Sequence, residues 1–211
     1  MKKRLILLAV FVLALGLCCT GCQRASAATL TEAQIEQMRT EYPLWKNSGL
    51  ADMEYRYQTF AELPNAEVTP TVIRATITGD WKTETVRAEL IPGRSADVTG
   101  YFLPVRVNET IWKGDGYGGE KELNLFFGSD MMFSPDPEMF QTGRELVLLV
   151  FEPDAETPYT TPNQYTANVD HMLYVTEDGA LINAGYAPYM NEANGMSLDG
   201  FRALVKQTFG K

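Results

Sequence analysis

Beyond residue 22 the chain has no cysteine, and its 211 residues include a single histidine, His171. No disulfide can staple the body, and neither a thiolate metal site nor a cysteine nucleophile can form there. One histidine nearly excludes a His-rich zinc centre. It also leaves any Ser-His-acid set resting on one residue, and no Gly-x-Ser-x-Gly elbow accompanies it. Basic residues are scarce too: 18 Lys and Arg stand against 27 Asp and Glu, for a net charge of -9. Lys2, Lys3 and Arg4 sit in the acid-free first 21 residues, so the remainder carries 15 basic against 27 acidic groups. Such a body repels phosphate backbones and anionic headgroups, which argues against a nucleic-acid partner. No internal repeat is present.

What is there begins with the leader. Lys2 to Arg4 form a positive start, and Leu5 to Leu17 form a 13-residue apolar run, short for a membrane span. Cys19-Thr20-Gly21-Cys22 follows and resembles a bacterial lipobox. That resemblance implies cleavage after residue 21, lipid on Cys22 and anchoring at the outer face of the cell membrane. Cys19 stands where Leu is usual, which leaves Cys18 or Cys19 as alternative attachment points. An ordinary cleaved signal and a short uncleaved anchor are the other readings. Two or more acyl chains anchor stably where one is marginal. The expected organisation is a signal over 1–21, a lipidated tether over 22–30, a helical segment over 31–66 and a β domain with a C-terminal helix over 67–211.

Thr31-Glu32-Ala33-Gln34 is a capping box, with Leu30 and Ile35 placed for a hydrophobic staple. Ile35, Met38 and Tyr42 share a helical face that Pro43 should end, and Thr59 to Pro64 reads as a second short helix. From Thr71 the period falls to two. The predicted strands bury Ile73, Ala75 and Ile77; then Val86, Ala88 and Leu90; then Tyr101, Leu103, Val105 and Val107; then Leu123, Leu125 and Phe127. Loops are expected over 93–97, 113–120 and 128–142, and Pro104 predicts a bulge or an edge position. Glu145 to Phe151 is apolar on both faces, so the flanking helices should cover it. Tyr165 to Asn168 reads as a short strand. Met172 to Ile182 reads as a hairpin turning at Asp178-Gly179, and Ser197 caps a helix striped by Phe201, Leu204, Val205 and Thr208.

The expected fold is α+β: a small antiparallel barrel of six or seven strands with an N-terminal helical segment and a C-terminal helix. Trp112-Lys113-Gly114 and Gly143-Arg144-Glu145-Leu146-Val147-Leu148-Leu149, followed by a closing hairpin, resemble a group of secreted bacterial lipoproteins. The resemblance spans residues 68–184. It implies an OB-like or netrin-like barrel and supplies no catalytic residues.

Candidate chemistry is thin. The Gly114–Gly119 run is followed by a strand, not by the helix a phosphate-binding loop needs, and reads as a flexible connection. Two acidic loops, Asp130, Asp136 and Glu138, then Glu152, Asp154 and Glu156, offer oxygens for calcium but lack the EF-hand order. Tyr117, Tyr159 and Tyr186 are the candidate ligand contacts, because loop aromatics stack on sugars or anchor protein partners, though they also close small barrels. The expectation is a non-enzymatic, cofactor-free binding module for a protein, glycan or small ligand, held to the membrane by its lipid. The alternatives are an envelope enzyme using carboxylates, metal-dependent or glycosidase-like, and a structural scaffold lipoprotein.

Overall fold

The computed structural model of the chain describes residues 29–46, 57–65, 68–130, 133–153 and 157–210. The leader, Cys22 and nearly all of the tether lie outside the described residues, as do Asp154 and Glu156. Helix α1 (Glu32–Met38) comes first. Seven strands follow: β1 (Thr71–Ile77), β2 (Lys82–Ile91), β3 (Arg94–Trp112), β4 (Glu122–Ser129), β5 (Glu145–Phe151), β6 (Gln164–Val175) and β7 (Leu181–Asn183). Helix α2 (Leu198–Phe209) ends the series, and 3-10 turns occupy Phe60–Asn65 and Pro188–Glu192. Among the described residues the result is one mixed seven-stranded sheet, with one helix before it and one after it in the chain.

The sheet runs β1-β5-β6-β4-β3-β2, with β7 on β6. Strand β1 also pairs with β3, from Val72 opposite Trp112 to Ile77 opposite Val105, so the pairing returns to its starting strand. Five strands take part in that circuit. An odd number cannot alternate direction all the way round, so one neighbouring pair must be parallel. It is β4 with β6, where Asn124, Leu125 and Phe126 face Gln164, Tyr165 and Thr166. This corrects the expectation of a wholly antiparallel sheet.

Two strands are longer than their patterns suggest. Pro92-Gly93 alone makes the turn between β2 and β3, with Gly93 at φ 77° and its N–H donated to Glu89 Oε1 at 2.6 Å. Arg94 to Asp97, expected as loop, pair with β2 in a largely exposed two-stranded arm. Pro104 sits where β3 changes partners: Phe102 faces Lys82 of β2, while Val105 faces Ile77 of β1. Its missing N–H falls in the gap, so a proline fits within a 19-residue strand. Strand β6 joins the two segments expected on either side of residues 169–171. The break survives as an irregularity, because Leu148 faces Met172 while Val150 faces Ala167.

The helix signals act locally. Thr31 and Gln34 form both halves of the capping box, and Ser197 Oγ accepts from Gly200 N at 3.0 Å. Helix α1 ends at Met38, before Pro43, and Tyr42 is carried into the core by a turn. Pro64 lies inside its 3-10 turn rather than ending it. In the β6–β7 connection only Gly179 has a positive φ, at 76°, so the turn is wider than a two-residue Asp-Gly hairpin.

Strand β5 separates two cores. Leu146, Leu148 and Val150 face one with Ile73, Leu103 and Leu125; Val147 and Leu149 face the other with Phe60, Phe201 and Val205. The Phe60 ring stands edge-on to Phe201 at 5.7 Å and to Tyr189 at 5.6 Å, so the 3-10 turns and α2 cover the outer face of β5.

Candidate functional site

The three candidate tyrosines separate. Tyr117 is buried, donates its hydroxyl to Glu120 O at 2.8 Å and stands edge-on to Tyr165. Tyr159 is buried in a different ring group, with Phe102 and Phe126. Only Tyr186 is exposed, at 49%, and its N–H is donated to Asp170 Oδ1 at 2.8 Å. Two of the three are therefore packing residues, and no shared surface joins them.

In the first acidic loop, two carboxylates bond the backbone. Asp130 Oδ1 accepts from Thr99 N at 3.1 Å, and Asp136 Oδ1 accepts from Glu138 N at 2.9 Å. Glu152 packs against Gly116. Among the described residues no group of three metal-ligating side chains gathers. The glycine loop is tied down, not loose: Gly114 N donates to Thr71 Oγ1 at 3.0 Å and Gly118 N to the Tyr165 hydroxyl at 3.2 Å.

His171 lies in the irregular stretch of β6, between Phe151 and Tyr189 at 6.0 and 5.6 Å. Its Nδ1 is buried without a hydrogen-bond partner. Burial pulls its pKa down to about 4, against the opposing charge of Asp170. An imidazole so desolvated is poorly placed to take a proton near neutrality.

The best-defined recognition geometry involves Glu84 and the segment before β6. Glu84 stands on β2, opposite Gly100 of β3. Its Oε1 accepts from Thr160 N and Thr160 Oγ1, both at 2.9 Å. Its Oε2 accepts from Thr161 N at 3.0 Å and Thr161 Oγ1 at 2.7 Å. These bonds, led by the Thr160 N–H, hold the carboxyl below the usual carboxylate range. Beside it, Tyr159 stands edge-on to Phe102 at 5.4 Å and tilted on Phe126 at 5.1 Å. A Cβ at Gly100 would lie 2.7 Å from Tyr159 Cζ, so only glycine leaves room for the ring. The segment's end is fixed to β4: Asn124 Nδ2 donates to Pro162 O at 2.8 Å and Asn124 N to Asn163 O at 3.0 Å. A hydrophobic seat and a carboxylate thus hold one aromatic residue and the two threonines after it.

Elsewhere, a cavity of about 370 Å³ opens beside Arg144, with Glu41, Glu145 and Glu177 on its wall. Arg144 is already committed, donating to Glu138 O, Met139 O and Glu41 O.

Comparisons with protein-family models, curated proteins and solved structures return no match. Sequence reasoning singled out Tyr159 but missed Glu84, Gly100, Phe102 and Phe126. The alternation of β2 puts Glu84 on one face with Lys82 and Val86, and nothing local marks it as a latch.

Proposed function

We propose that this chain is a lipid-anchored binding module working at the outer face of the cell membrane. The leader carries the reading: Lys2 to Arg4, the apolar run Leu5 to Leu17, then Thr20-Gly21-Cys22. A lipid on Cys22 would tether the body through residues 23–30, and the acidic surface beyond it disfavours collapse onto anionic headgroups.

The fold reading goes with it. Strands β1, β3, β4, β6 and β5 form a small barrel of OB-like order, with β2 and β7 appended. Support comes from the double pairing of β1 and from the single parallel contact between β4 and β6. Such a fold hosts many functions, so the activity must be argued from side chains. Binding is favoured over catalysis because the one imidazole is desolvated and Asp170 Oδ1 is engaged by the Tyr186 N–H.

Growth of the producing cell with a labelled fatty acid tests the anchor. The chain should take up label and fractionate with membranes, and Cys22→Ala should lose both. A label-free chain released into the medium would overturn the anchor. Label retained in Cys22→Ala would move the attachment to Cys18 or Cys19.

A further inference from the structure

Tyr159, Thr160 and Thr161 belong to no strand or helix, yet they are held as a bound peptide would be held. One carboxylate receives two backbone N–H groups and two hydroxyls from consecutive residues. Gly100, Phe102 and Phe126 provide a seat for one ring. Asn124 reads the carbonyl of the next residue, Pro162. Among the described residues, the bonds holding this segment come from side chains rather than from strand pairing, except for the Asn124 N–H to Asn163 O. Resting on the binding-module reading above, we infer that this face is a peptide-binding groove. Its resident is the chain's own Tyr159-Thr160-Thr161-Pro162 segment, standing in for a partner.

The resident defines the partner's chemistry. It is an extended peptide with one aromatic side chain, followed by two hydroxyl residues whose amides face a carboxylate, and then proline. The aromatic supplies apolar burial, and the charge-assisted bonds to Glu84 fix register and direction. Two hydroxyls suit the carboxylate and a second carboxylate would not, so acidic or phosphorylated peptides are excluded by like charge. The segment within the chain competes at an effective concentration of about millimolar, so a free peptide of the same pattern displaces it only when added in excess.

The experiment uses the full chain in detergent micelles and a fluorescent synthetic peptide, Thr-Pro-Tyr-Thr-Thr-Pro-Asn, matching residues 157–163. Tyr159→Ala vacates the seat and should bind this peptide at least tenfold more tightly than the unaltered chain. Adding Gly100→Val fills the seat and should abolish the gain, as should replacing the peptide's Tyr with Ala. A second measurement needs no variant. Excess peptide added to the unaltered chain should speed hydrogen exchange at the Thr160 and Thr161 amides at least tenfold, because Glu84 is then taken. Equal affinity for both chains, or exchange at these amides unmoved by saturating peptide, overturns the groove. Fatty-acid labelling decides the anchor separately. A labelled chain that ignores the peptide overturns the groove alone, and an unlabelled chain that binds it overturns the anchor alone.

Discussion

Arg202 clamps Glu109 through two parallel bonds, Nε to Oε1 at 2.8 Å and Nη2 to Oε2 at 2.6 Å. The pair fastens α2 to β3. Arg74 extends it, lying 3.9 Å from Glu109 and bonding Glu145 at 2.8 Å, so β1, β3, β5 and α2 share one charge network. Glu109 is held below the usual carboxylate range, first by the Arg202 bonds. A depressed carboxyl contributes stability above its unfolded pKa and loses it as pH falls through the folded value. Both side chains are about one-third exposed, so solvent screening keeps the gain small. Arg202→Ala should cost about 1 kcal/mol at pH 7 and less near pH 3. Urea midpoints at the two pH values check this; an equal loss at both would assign the effect to the arginine's alkyl packing.

His171 predicts a pH dependence that begins above the carboxylate range. Its folded pKa is about 4, against 6.5 in the unfolded chain, so the unfolded state binds the extra proton between those values. Stability should therefore fall as pH drops from 6.5 toward 4, by about 1–3 kcal/mol in all. His171→Phe keeps a ring between Phe151 and Tyr189 and should flatten the urea midpoint over that window. A variant with the unaltered chain's slope would show that the histidine is neutralised by nothing special to its site.

Strand β5 (Glu145–Phe151) was legible to the residue because a segment buried on both faces leaves one pattern, an unbroken apolar run, here from Leu146 to Phe151. The start of β3 was not, although its partner β2 was read to its last residue, Ile91. Around Arg94 to Asp97 most side chains are exposed, so no period-two signal marks the strand. The parallel β4–β6 contact is set by the parity of the five-strand circuit, which no local window contains. The site divides the same way. Tyr159 was visible as a loop aromatic, but Glu84, which latches the next residue Thr160, lies 76 positions from that threonine in a strand of alternating charge and polarity. Tyr117 read either as a ligand contact or as a ring closing the barrel, and only the fold decides, because its loop folds back onto Thr71 and Tyr165. Long-range side-chain-to-backbone bonds of this kind leave no periodic trace.

Gly114 tests how tightly that loop is tied. A Cβ there would meet the backbone carbonyls of Thr69 and Pro70, which lead into β1 and cannot swing aside as a side chain can. Gly114→Ala should destabilise by about 1–3 kcal/mol through forced backbone movement. For a chain of this size the thermal midpoint should fall by about 3–10 °C. An unchanged midpoint would mean that the connection after β3 yields without cost.

Arg144 provides the last test, because it joins parts of the chain far apart in sequence. Nη1 donates to Glu138 O at 2.8 Å and Met139 O at 3.1 Å, and Nη2 donates to Glu41 O at 2.9 Å. The guanidinium lies over Tyr42 and Tyr174, 5.7 and 5.2 Å from the ring centroids. It therefore pins the turn after α1 and the loop before β5 to one aromatic floor. Lysine keeps the charge but has no planar fork to reach three carbonyls, and it stacks less well on rings. Arg144→Lys should thus lose most of what Arg144→Ala loses, about 2 kcal/mol, from the carbonyls left without a donor. Hydrogen exchange should rise at the Tyr42 amide, bonded to Met38 O, and at the Phe140 amide, bonded to Asp136 O. If lysine restores full stability, charge alone holds the two segments and the fork geometry is incidental.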